Sequence, residues 1–155
     1  IAKLQNRNYA VTRDSAKQNI NDIAGIGVVC SYIDDVYAVA EMLLRQSDVR
    51  LVQTQDYIQH PNFNGYRSLH LDIQIPIYLS DHTEHVNVEV QLRTVAMDFW
   101  ASLEHDLRYK SQKDIPARIS QEMWDAAQAI ASIDRQMQAI YKEIQALPNK
   151  HTEKE

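Results

Sequence analysis

At 155 residues the chain is long enough for one domain with its own core, and 45% apolar with 24% charged residues is the balance of an ordinary globular protein. No apolar run approaches the roughly 18 residues of a membrane span, and no secretory signal opens the chain. A net charge of −5 argues against an extended nucleic-acid surface but leaves room for a local basic pocket.

The chain opens at Ile1 rather than Met, which points to a processed product or a fragment. Residues 1–21 are polar and mixed, compatible with a helix at their start. Ile26 to Ile33 is rich in Val and Ile and reads as a buried strand. Its Cys30, the only cysteine, excludes an internal disulfide, reads as core, and fits a reducing compartment such as the cytoplasm. Asp34 can cap a helix running to about Arg45, with Val36, Val39, Ala40, Leu43 and Leu44 on its inner face. Val49 to Thr54 is a second strand.

The clearest local pattern is a hairpin. Leu69, Leu71, Ile73, Ile75, Ile77 and Leu79 alternate with His70, Asp72 and Gln74; Val86, Val88, Val90 and Leu92 alternate with Asn87, Glu89, Gln91 and Arg93. Period 2 on both sides of a turn predicts a two-faced antiparallel pair. Pairing Leu79 with Val86 sets Gln74 opposite Gln91 and Asp72 opposite Arg93, and puts His70, Asp72, Glu89, Gln91 and Arg93 on one face. A helix follows from about Val95 to Lys110. Beyond Pro116 a longer one carries Ile119, Met123, Ala126, Ile130, Ile133, Met137, Ile140 and Ile144, a heptad seam. Such a seam serves either packing on its own domain or contact between subunits. The organisation expected is a catalytic unit over residues 1–115, the helix over 116–147 and a charged tail over 148–155.

The chemistry concentrates in two stretches. Asn64-Gly65-Tyr66-Arg67-Ser68-Leu69-His70 delivers an aromatic ring, a guanidinium and an imidazole from a tight turn, with Gly65 supplying backbone freedom. The Tyr66 ring can stack on a purine, or it can be a half-buried hairpin tyrosine. Val88-Glu89-Val90-Gln91-Leu92-Arg93-Thr94 adds a carboxylate, an amide and a second guanidinium. Mg²⁺ takes one or two carboxylates beside phosphate oxygens and waters, so Glu89 with Asp22 is a candidate pair. Each acid alone is more often a surface or capping group, and Arg93 could simply pair with Asp72. The loop Asp81 to His85 has metal-binding residue types but reads better as a solvated hairpin loop. There is no glycine-rich phosphate loop, paired-cysteine zinc motif or nucleophile elbow.

Five ordered segments carry a resemblance: Asp22 to Ile26, Asp56 to Ile58, Asn64 to His70, Glu89 to Thr94, and Ala96 to His105. Together they resemble the synthetase domain of the RelA/SpoT family, over roughly residues 1–145, and a single-domain small alarmone synthetase in particular. The resemblance implies an α+β fold, a mixed β-sheet flanked by helices and related to nucleotidyltransferases. It implies transfer of the pyrophosphoryl group of ATP to the 3′-hydroxyl of GDP or GTP, giving ppGpp or pppGpp in the stringent response. It further implies Asp22 and Glu89 as Mg²⁺ ligands, with Glu89 assisting deprotonation of the 3′-hydroxyl. Tyr66 would stack on guanine near Ala101 and Glu104, Asn64, Arg67 and His70 would belong to the acceptor site, and Gln91 and Arg93 would shape the floor. Homotetramers through terminal helices are expected on the same ground.

The chain departs from that family's pattern where arginine is usual at Gly27, a basic residue at Gln55 and lysine at Asn62, and the family's basic segment falls at or before Ile1, so that it is absent here or reduced to Lys3 and Arg7. These departures fall on the ATP side. Two competing readings follow: a catalytically impaired guanine-nucleotide-binding regulator of the same fold, and an assembly module whose output is the heptad helix.

Overall fold

The structure, a computed structural model, describes residues 5–6, 8–12, 15, 24–110 and 115–148. Asp22, Lys3, Arg7, most of the expected opening helix and nearly all of the charged tail lie outside the described residues, while Gln5 and Asn6 are helical. Among the described residues four strands form one mixed sheet in the order β1-β4-β3-β2. They are β1 (Ala24–Cys30), β2 (Arg50–Asp56), β3 (Leu69–Tyr78) and β4 (Thr83–Thr94). β1 runs parallel to β4, and the other neighbours are antiparallel. The helices that pack with it are α1 (Ile33–Leu44), α2 (Val95–Lys110) and α3 (Ala117–Ala146). The α+β class read from the sequence is the architecture found.

Alternation in β3 and β4 gives the sheet its two characters. Leu69, Leu71, Ile73, Val88, Val90 and Leu92 are buried and pack with Val36 and Ala40 of α1 and with Cys30. Fully covering each such side chain is worth about 1.5–3 kcal/mol. The opposite face is polar. Asp35 accepts a hydrogen bond from the Tyr32 backbone N–H at 3.2 Å, so it is Asp35 rather than Asp34 that closes the start of α1.

The hairpin register differs from the one expected. His70 lies opposite Gln91, Asp72 opposite Glu89 and Gln74 opposite Asn87, four positions tighter than a Leu79–Val86 pairing. The turn is the reason: the Leu79 N–H donates to the His82 carbonyl at 2.9 Å, so β4 already begins at Thr83. The shift is even, so the expected face survives while the expected partners do not. Asp72 therefore does not face Arg93, whose carboxylate partner is Asp98 at 3.3 Å. The Asp81–His85 segment is accordingly part turn, part strand. His82 bridges Asp81 and Glu84 there, and no group of three potential metal ligands occurs among the described residues.

Helix α3 faces its own domain with Ala127, Ala131, Asp134 and Gln138 rather than with the apolar heptad. Gln138 accepts the Asp34 N–H at 2.8 Å, Asp134 accepts the Thr94 hydroxyl at 2.7 Å, and Tyr141 stacks on Tyr32 at 4.0 Å between centroids. Small side chains and hydrogen bonds, not a greasy stripe, seat the helix. The heptad residues Ile133, Met137, Ile140 and Ile144 remain 58%, 46%, 40% and 58% exposed, which overturns the intradomain reading of that seam. An apolar groove of about 530 Å³, lined by Val95, Phe99, Ile130, Ile133 and Met137, runs alongside between α2 and α3. No helix among the described residues is long and apolar enough to cross a membrane.

Candidate active site

The loop before β3 folds on its own amides. Gly65 N–H donates to the Asn62 carbonyl at 2.9 Å, Asn62 N–H to the Tyr66 carbonyl at 3.1 Å, and Tyr66 N–H to the Asn64 side chain at 3.2 Å. Gly65 closes the turn at φ 83°, the left-handed region that favours glycine. The result presents the half-buried Tyr66 ring above the polar face of β3 and β4.

There a closed ring of side-chain hydrogen bonds forms. Arg93 Nη2 donates to the Tyr66 hydroxyl at 2.6 Å and to Gln91 Oε1 at 2.5 Å. Gln91 Nε2 donates to Glu89 Oε2 at 2.9 Å. Glu89 Oε1 lies 3.1 Å from His70 Nδ1, and His70 Nε2 lies 2.8 Å from the Tyr66 hydroxyl. Donor capacity fixes the protons. Burial, with Arg93 adding to it, pushes the His70 imidazole below its usual range against the pull of Glu89, so the neutral ring carries one proton. A carboxylate can only accept, so that proton sits on Nδ1 and points at Glu89. Nε2 then accepts from the Tyr66 hydroxyl, whose oxygen receives Arg93. Tyr57 meets both Tyr66 and His70 edge-on, at 5.9 and 5.2 Å between centroids, and Arg93 lies 5.4 Å from the Tyr66 ring centre.

A cleft of about 480 Å³ opens beside this ring, a volume suited to a small ligand. Tyr66, Arg93, Ala101 and Glu104 line it, as do Ser102, His105 and Asp106. Glu104 is buried, and its Oε1 accepts the Asn64 amide at 3.0 Å. Tyr66, His70, Glu89, Gln91 and Arg93 thus share one network, Asn64, Ala101 and Glu104 stand at the adjoining cleft, and Arg67 turns the other way. Its guanidinium donates to Gln128 of α3 at 3.2 Å. Tyr57, Ser102 and His105 lie within the resemblance segments without an assigned role, and Asp106 directly follows the last of them. Asp98, on the first turn of α2, could have been found as the acid five positions after Arg93.

Residues 1–114 match the family profile described as "Region found in RelA / SpoT proteins". The chain belongs to the RelA/SpoT family. This RelA/SpoT chain is 44% identical over 144 residues to the GTP pyrophosphokinase YwaC of Bacillus subtilis (strain 168), a match covering 93% of the chain and 69% of that relative. Its fold resembles the crystal structure of small alarmone synthetase 2 from Bacillus subtilis, at TM-score 0.81 and 43% identity, over 92% of this chain and 76% of that one. It also resembles small alarmone synthetase 1 from Bacillus subtilis bound to its product pppGpp, at TM-score 0.83 and 35% identity, over 93% and 73% of the two chains.

Proposed function

We propose that this chain transfers the β,γ-pyrophosphoryl group of ATP to the 3′-hydroxyl of GDP or GTP. The 3′-oxygen bonds to the β-phosphorus, the bond from that phosphorus to the oxygen shared with the α-phosphate breaks, and AMP leaves with that oxygen. The acceptor becomes ppGpp or pppGpp. The observation that carries this reading is the ring joining Tyr66 to Glu89 beside the cleft that Tyr66 and Arg93 line, in a chain similar to a GTP pyrophosphokinase. In this reading guanine stacks on Tyr66, with Ala101, Glu104 and Asn64 at its edge. His70, Gln91 and Arg93 hold the acceptor side of the floor, and Glu89 takes the 3′-hydroxyl proton. Gln91 and His70 occupy one oxygen of Glu89 each, which aims the carboxylate before substrate arrives.

The donor set fits Mg²⁺, which accepts one or two carboxylates together with phosphate oxygens and waters. Glu89, with 21% of its side chain exposed on the polar face, would be one ligand and Asp22 the other. When bound, the ion would neutralise charge on the transferring phosphates. Nucleotide substrates and the lone buried thiol of Cys30 fit a cytoplasmic setting. Incubating the protein with ATP, GDP and Mg²⁺ tests the whole reading: AMP and ppGpp should form in equal amounts, and their absence would refute it.

On the ATP side the proposal is that Gly27 leaves room for a residue the family usually supplies. A Cβ built there meets nothing within 4 Å, and Gly27 lies beside Gln91 in the sheet. Gly27→Arg should therefore fold normally and lower the KM for ATP severalfold, about the worth of one charged contact, with GDP affinity unchanged. An unchanged ATP KM would mean that another residue holds the adenine.

Assembly belongs to the same proposal. The exposed seam of α3 and the neighbouring apolar groove support a homotetramer built through α3, since a closed symmetric assembly hides surface that a monomer leaves wet. Each covered Ile or Met would contribute about 1.5–3 kcal/mol. Replacing Ile133 and Ile140 together by Asp should dissociate the assembly in light scattering while leaving far-UV circular dichroism unaltered. A wild-type protein monomeric at tens of micromolar, about the range where weak interfaces persist, would refute it.

A further inference from the structure

Tyr66 stands between two residues that α3 holds from behind. Gly65 is packed so tightly on the helix that a Cβ built there would lie 2.4 Å from Ala127 Cβ and 3.5 Å from Trp124 Cε3. Arg67, on the other side of Tyr66, donates one guanidinium nitrogen to Gln128 at 3.2 Å and another back to the Gly65 carbonyl at 3.4 Å. Burial, with Arg135 nearby, pushes the Arg67 guanidinium below its usual range, as expected of a cation turned inward. Neither Ala127 nor Gln128 lines the cleft. The loop meets the sheet core at Ile58, whereas Gly65 and Arg67 sit with Met97, Trp100, Ala127 and Ala131 on the side of α2 and α3. These contacts fall on the two residues that flank Tyr66, the part of the loop that carries the ring.

We infer that Ala127 and Gln128 are positioning residues for acceptor recognition, setting through Gly65 and Arg67 where the Tyr66 ring stands over the cleft. The inference rests on the reading of Tyr66 as the stacking ring. It moves Arg67 from touching the nucleotide to anchoring the loop. A helix backbone is a rigid reference, and a small residue at 127 lets the loop approach it closely. A larger side chain there drives the loop away from the helix and moves the ring.

The test uses the full chain and three α3 variants. Calorimetry with GDP alone measures acceptor binding, and steady-state kinetics give the KM of each nucleotide. Ala127→Val should raise the GDP dissociation constant about 10- to 100-fold, the scale of an ångström-sized misplacement. Gln128→Ala should raise it about fivefold by cutting the Arg67 tether, with the ATP KM held within about twofold in both. Gln128→Glu keeps an acceptor for Arg67 and should bind GDP like wild type. Should Ala127→Val fail to fold, the Gln128 pair carries the test alone. Unchanged GDP binding in Gln128→Ala or in a folded Ala127→Val, or parallel shifts of both KM values, would overturn the inference. Tyr66→Ala separates the two readings. If it alone weakens GDP binding, positioning by α3 falls by itself; if it leaves GDP binding intact, the stacking role falls and this inference with it.

Discussion

Glu89→Gln is expected to lower pyrophosphoryl transfer by on the order of 10²–10⁴-fold, the usual worth of a positioned acid–base group, while the melting temperature moves by only a few degrees. The substitution keeps size and removes charge. It also sets one amide against another, because Gln91 offers Nε2 towards position 89 while its own Oε1 is committed to Arg93. A glutamine can present an oxygen to His70 or to Gln91, but not to both. The side chain is partly exposed on a polar face, so this conflict costs about 1 kcal/mol of stability and no more. Asp22→Asn should act in the same direction. Rates are measured by AMP release and folding by circular dichroism melts. Turnover near wild type in a folded Glu89→Gln protein would remove Glu89 from the chemistry and leave the ring as mere scaffolding.

Tyr66→Ala should weaken GDP binding by about 1–3 kcal/mol, the range found when an aromatic side chain is withdrawn from a stacked base. Calorimetry without ATP reads this directly, and wild-type affinity in the alanine variant would make the ring structural only. Tyr66→Phe divides the residue's two contributions. The stack survives, so affinity should stay within about threefold of wild type. The hydroxyl does not survive, and with it go an acceptor for Arg93 and the donor that keeps the His70 proton on Nδ1. Turnover should therefore fall more than affinity. A phenylalanine variant with unaltered turnover would show that His70 holds its orientation through Glu89 alone.

Much of this was legible in the residues because periodicity reports faces. Alternation in β3 and β4 identified the side of the sheet that carries His70, Glu89, Gln91 and Arg93, and the limits expected for α2 match Val95–Lys110. Periodicity does not report partners. The turn at Leu79–His82 has no glycine to mark it, so the pairing slid by four residues without changing face. The bond between Asn64 and Glu104 spans forty positions, and nothing local announces it. Helix α3 was harder still. Its apolar seam fits packing inward and contact between subunits alike, whereas the inward stripe is Ala127, Ala131, Asp134 and Gln138, recognisable only once Gly65, Thr94 and Asp34 are known to lie against it.

The two stripes of α3 share the seven-residue spacing and lie one residue apart in sequence, about 100° around the helix. They have no residue in common. Substitutions on the outer stripe can therefore drift without disturbing the inner one, and descendants of one ancestor could exchange assembly partners while keeping the same fold. Length is another matter. One residue inserted early in the helix would carry Ile130, Ile133 and Met137 into the places of Ala131, Asp134 and Gln138, and would strip the Thr94 hydroxyl and the Asp34 amide of their acceptors. Across relatives, this helix should be permissive in composition and nearly intolerant of insertions and deletions.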